Sequence, residues 1–195
     1  KVSRAQLANS LSMDSISREL KWRRVQVLDD GSIVGVADLL AVVKLDVDSN
    51  VVWATRGEFH HDLKAAPDGR IYVLRQDRHP DLDFGPKNER VIDQYVTILD
   101  ANGETLDDIS LMDALQRSPF APIYYERKDV VGDVLHANSV EVLDGSLADT
   151  ISTFKKGNIL VSLRNLHFVC VLDPEKREIV WGMRSMWARQ HDARM

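Results

Sequence analysis

The chain has a single cysteine, Cys170, so no disulfide can form within it. That fits a reducing compartment and equally a periplasm, where many proteins lack disulfides. No apolar run approaches the roughly 20 residues that a membrane-spanning helix needs. No signal-peptide pattern is seen, but the first residue is Lys1 rather than Met, so localisation stays open. Basic residues form no long run and the net charge is −5, which argues against nucleic acid as a partner. What remains is 195 residues with 44% hydrophobic and 28% charged content, enough for one soluble domain with a real core.

Residues 1–21 read as a polar, weakly amphipathic helical segment, with Leu7, Leu11, Ile16 and Leu20 as its apolar contacts. From Trp22 the pattern changes to short apolar runs broken by turns, so 22–195 is expected to be all-β. Aligned on their turn glycines, the runs repeat. The turns are Asp29-Asp30-Gly31, Asp68-Gly69 and the stretch near Gly157. Each unit predicts four antiparallel strands, the third ending in Leu-Asp: Leu45-Asp46, Leu99-Asp100 and Leu172-Asp173. That Asp can accept backbone N–H groups in the turn that follows. Four short strands per repeat is the pattern of a β-propeller blade, and about three blades are present. A β-sandwich gives similar strands but does not explain the repeat. Gln76–Asp93 reads as a polar loop. Leu111–Val134 reads as an excursion with a short helix over Leu111–Gln116 and a pocket wall carrying Phe120, Tyr124 and Tyr125.

Three histidines return at the same place in successive units: His61, His136 and His191. The first strand of a blade lies nearest the central channel, so the three are expected to ring one mouth. Arg23 or Arg24 holds the matching place in the first unit, and Arg164 follows the second strand of the third. A lone histidine at a strand end is usually a structural hydrogen bonder; three in register are harder to explain so. His60 is expected to point away from His61, because side chains alternate along a strand. His167 reads as structural on a strand, and His79 as solvated in the loop. Three imidazoles suit zinc, but an arginine beside them would repel it. Histidine with arginine and few carboxylates suits an oxyanion such as sulfate or phosphate, with no metal and no cofactor. Asp62 and Asp192 are expected to orient the imidazoles.

At these residues the chain resembles the bacterial arylsulfate sulfotransferases that do not use a nucleotide sulfate donor. The segments are His60-His61-Asp62, Leu135-His136-Ala137-Asn138-Ser139, Gly157-Asn158-Ile159-Leu160-Val161-Ser162-Leu163-Arg164, Ile179-Val180-Trp181 and Gln190-His191-Asp192. The likeness runs from about Gly31 to the end. It implies a six-bladed propeller, of which this chain would be a fragment, since a fourth unit opens at His191 and the chain stops at Met195. It implies a periplasmic or membrane-anchored extracytoplasmic enzyme moving a sulfuryl group from a phenolic sulfate ester to a phenol. Under the resemblance His191 is the nucleophile, and His61, His136, Asn138 and Arg164 surround the sulfate oxygens. The residues alone leave a second reading open, a non-catalytic propeller that binds a ligand or partner at the channel mouth. A quinone-dependent dehydrogenase propeller fits less well, because Trp53 and Trp181 read as packing residues rather than a repeated docking motif.

Overall fold

The computed structural model describes residues 21–79, 91–126 and 132–195. The expected N-terminal helical segment lies outside them except for Lys21. The rest is all-β. Three sheets each run four antiparallel strands in chain order. The first holds β1 (Trp22–Val27), β2 (Ile33–Ala37), β3 (Ala41–Leu45) and β4 (Val51–Arg56). The second holds β5 (Phe59–Ala65), β6 (Ile71–His79), β7 (Val91–Leu99) and β8 (Thr105–Ser110). The third holds β9 (Ala137–Val142), β10 (Ile159–Leu163), β11 (Phe168–Asp173) and β12 (Glu178–Arg184). The opening strands β1, β5 and β9 lie against one another in sequence, as in successive propeller blades.

The turn chemistry is as expected. Asp46 accepts from the N–H groups of Asp48 and Asn50, Asp100 from Asn102 and Glu104, and Asp173 from Glu175 and Lys176. These bonds hold the carboxyls of Asp46 and Asp100 below the usual range. The blades are also stitched alike. Trp53 Nε1 and Thr55 Oγ1, on the outer strand of the first blade, donate to the Ala101 and Gly103 carbonyls in the β7–β8 turn. Asp107 and Asp108, on the outer strand of the second, receive Arg177 from the β11–β12 turn.

The core is continuous between blades. Val34, Val36, Val42, Phe59, Leu63 and Val73 join the first to the second. Leu74, Val96, Val140, Val161, Leu163 and Phe168 join the second to the third. Two short helices cap that second core: α1 (Leu111–Gln116), with the Ser110 side chain accepting from Asp113 N, and α2 (Ala121–Tyr125). Gly182 is needed at close range, because a Cβ there would run into the ring of Phe168, which is buried. Gly182→Ala is therefore expected to cost about 2 kcal/mol through forced ring displacement, measured by urea unfolding.

Two expectations change. Gln76–Asp93 is not a loop throughout. β6 and β7 stay paired out to His79 and Val91, because the polar residues Gln76–His79 continue the backbone ladder; residues 80–90 lie outside the description. The predicted pocket wall is largely core. Tyr124 is buried with its hydroxyl on Met112 Sδ, and the Phe120 ring lies 5.5 Å from that of Phe168, so this segment fills the flank of the third blade. Of its three aromatic residues only Tyr125 is exposed. No helix among the described residues is long and apolar enough to cross a membrane.

Candidate functional site

Each opening strand loses register with its neighbour at the place where the sequence puts its polar residues. The irregularity falls between Trp22 and Val25 in β1, between Phe59 and Leu63 in β5, and opposite Ser162/Leu163 in β9. Arg23, Arg24, His60, His61, Asp62 and Asn138 all lie in these bulges. A bulge re-aims side chains at the end of a sheet, and here it does so in each of the three opening strands that lie side by side. His61 and His136 also take left-handed backbone, with φ of 53° and 49°. That conformation is costly for a residue with a Cβ and gathers at functional sites.

The bulges bring His61 and His136 together, with ring centroids 4.9 Å apart and nearly perpendicular. His60 joins them. The left-handed turn at His61 breaks the strand alternation, so His60 does not point away as expected; its Nδ1 lies 2.9 Å from His61 Nδ1. Asp133 completes the chain from the other side. Its Oδ2 lies 2.5 Å from His136 Nδ1, and its Oδ1 accepts from His136 N and from Gln94 Nε2. Gln94 Oε1 in turn accepts from Ala137 N. The His136 bonds hold the Asp133 carboxyl below its ordinary range although burial opposes this.

Arg164 and Asn138 belong to the same rim. Arg164 N donates to the His136 carbonyl, and its guanidinium donates to Asn165 Oδ1 while Nε is buried without a hydrogen-bond partner among the described residues. Asn138 uses one Nδ2–H on the Gln190 carbonyl at 2.8 Å, and its Oδ1 has no partner among the described residues. Buried polar atoms without a partner are uncommon in folded proteins, and two of them stand here beside the histidines.

His191 reaches this rim through its neighbours rather than by ring contact. Gln190 is fixed by Asn138 and Ser162, and Ala193 N donates to Ser139 Oγ. Asp192 pairs with Arg24 and Arg194. The His191 ring is exposed, with Nδ1 3.0 Å from the Arg189 carbonyl.

Asp62 and Asp192 do not orient imidazoles. Asp62 is buried and binds Arg24 Nε and Arg194 Nη2, both at 2.7 Å, and accepts from Val140 N. Left-handed backbone at His61 turns the next side chain toward the seam with β9, where it ties three blades together. His167 is structural but not on a strand. It closes the turn Arg164–Leu166 at φ 53°, accepts from Trp187 Nε1 through its carbonyl and from Arg189 N through Nδ1, and so anchors the segment that carries His191.

Asp133, His60 and Gln94 were not anticipated from the sequence. The Asp133-x-x-His136 spacing was the one available signal, since a carboxylate three residues before a histidine can cap its N–H and its ring together.

Burial, then the neighbouring rings, hold His60 at about 3 and His61 at about 4, so both are neutral in the folded protein. Unfolded, they titrate near their ordinary value. The unfolded chain therefore binds more protons below about pH 6.5, and stability is expected to fall as pH drops from there toward about 4. A thermal-unfolding series over that window measures the slope, and His61→Asn should flatten it.

The arylsulfotransferase (ASST) family model matches residues 24–195. Two solved structures are similar in outline. A protein of unknown function from Bacteroides caccae shares 13% identity over 86% of this chain and 62% of its own, with a TM-score of 0.39. Hydrazine synthase from Kuenenia stuttgartiensis shares 20% over 78% and 40%, with a TM-score of 0.49. The chain thus spans less than two thirds of either. No curated protein sequence matches it.

Proposed function

The chain belongs to the arylsulfotransferase family, and from that premise we propose that this rim passes a sulfuryl group from a phenolic sulfate ester to a phenolic acceptor through a sulfo-histidine at His191. The observation that carries the reading is the setting of that ring. Its Nδ1–H donates to the Arg189 carbonyl, which leaves a bare lone pair on Nε2. Gln190 before it and Ala193 after it are hydrogen-bonded to Asn138 and Ser139 of β9, the strand that follows His136, and Asp192 pairs with Arg24 of β1.

In the first step His191 Nε2 attacks sulfur and the sulfur–aryl oxygen bond breaks. The phenolate leaves with the bonding electrons and takes a proton from His136 Nε2. In the second step the acceptor phenol attacks the sulfo-histidine, its proton goes to His136, and the nitrogen–sulfur pair returns to His191. Asp133 holds His136 Nδ1–H through both steps, so only Nε2 gains and loses the proton. Arg164, His61 and the second Nδ2–H of Asn138 face the sulfuryl oxygens, where fixed donors favour the charge that builds up in the transition state.

The protein incubated with a nitrophenyl sulfate and a phenol, with no nucleotide donor, should release nitrophenol at a rate that rises with phenol. Binding of the ester without release would instead support a non-catalytic ligand-binding propeller.

A further inference from the structure

Resting on that reading, we propose that His60 is a positioning residue that sets the tautomer of His61: its Nδ1–H donates to His61 Nδ1, so that His61 carries its own proton on Nε2 and presents it to the sulfuryl group.

The two Nδ1 atoms are 2.9 Å apart, so one of them must be protonated and the other bare. His60 is 2% exposed, and its Nε2 is buried with no hydrogen-bond partner among the described residues. If His61 were the donor, neutral His60 would carry its proton on Nε2, a buried N–H with nothing to accept it. If His60 is the donor, its Nε2 holds only an unused lone pair. Orphaned buried N–H groups are the rarer defect in folded proteins, so the second arrangement is the stable one. A doubly protonated His60 would satisfy neither, because it would place a charge in the core beside His61.

The consequence is a division of labour between the two rings that touch. His136 has a carboxylate on Nδ1, so its Nε2 is free to lose and regain a proton. His61 has an imidazole N–H on Nδ1, so its Nε2–H is a fixed donor. A histidine pair of the same residue type thus supplies one proton carrier and one permanent donor, each set by the group behind it. His60 never touches the substrate; it acts through His61.

The direct test is nitrogen-15 NMR of the histidine side chains in the intact protein, which reads each ring nitrogen as protonated or bare. His60 Nδ1 and His61 Nε2 should be protonated. A proton on His61 Nδ1 overturns the proposal whether or not the protein transfers sulfuryl groups, so its failure is separate from failure of the activity. A kinetic arm follows. His60→Leu, which offers no donor, should lower kcat roughly tenfold through a weakened oxygen contact. His60→Asn, whose amide N–H falls where Nδ1–H was, should restore it. Equal rates for the two variants, with equal unfolding midpoints, would overturn the proposal.

Discussion

Replacing His191 with alanine is expected to lower sulfuryl transfer by about 10⁴-fold or more, as loss of a covalent nucleophile does. The same change should leave stability within about 0.5 kcal/mol, because the ring is exposed and its one hydrogen bond, to the Arg189 carbonyl, is local. That separation of effects is the point of the variant. His61 and Asn138, in strands that pack between blades, and His136, just before one, are partly or wholly buried, so their loss mixes folding with chemistry. Nitrophenol release and a urea unfolding curve on the same preparation measure both quantities. A stable variant that still turns over would remove His191 from the mechanism.

Asp62→Ala is expected to have the opposite profile, a loss of stability of about 3 kcal/mol. The carboxylate is 3% exposed, and three donors from three parts of the chain converge on it: Arg24 from the first blade, Val140 N from the third, and Arg194 near the C-terminal end. Its removal leaves the buried Val140 N–H without its acceptor and takes from Arg24 and Arg194 their buried partner, leaving Arg24 the exposed Asp192 and Arg194 the same Asp192 with Glu141. Asp192 is the control. It pairs with the same two arginines, but its side chain is 64% exposed. Asp192→Ala should cost less than about 1 kcal/mol, the range of a solvated ion pair. Equal effects from the two would mean that the clamp is not centred on Asp62.

The features legible in the sequence were those with local causes. Leu45-Asp46, Leu99-Asp100 and Leu172-Asp173 announce their turns because the aspartate binds backbone groups only two to four residues away. The pairing of His61 with His136 was legible because repetition places equivalent residues around one axis. The true partners of Asp62 and the role of Asp133 are illegible for the same physical reason in reverse. The partners of Asp62 lie 38, 78 and 132 residues away, and no local pattern encodes them. Asp133 stands in an irregular connection with no counterpart in the other units, so repetition did not point to it. His60 was misplaced by a rule that holds only while the strand is regular. One left-handed residue, His61, reverses it. The stretch Gln76–Asp93 reads as a loop because its side chains are largely hydrophilic, yet the backbone pairing of β6 with β7 does not depend on them. The site is therefore a set of local departures from strand geometry, built on a scaffold that the sequence pattern describes well.

A covalent sulfo-enzyme at His191 can be read by peptide mass spectrometry. The protein is exposed to an aryl sulfate without acceptor, digested under mildly basic conditions, and compared with a sample chased with phenol. One added sulfuryl group is expected on the peptide containing His191, discharged by the chase. Turnover of the ester with no adduct there, or with an adduct on another residue, would contradict it.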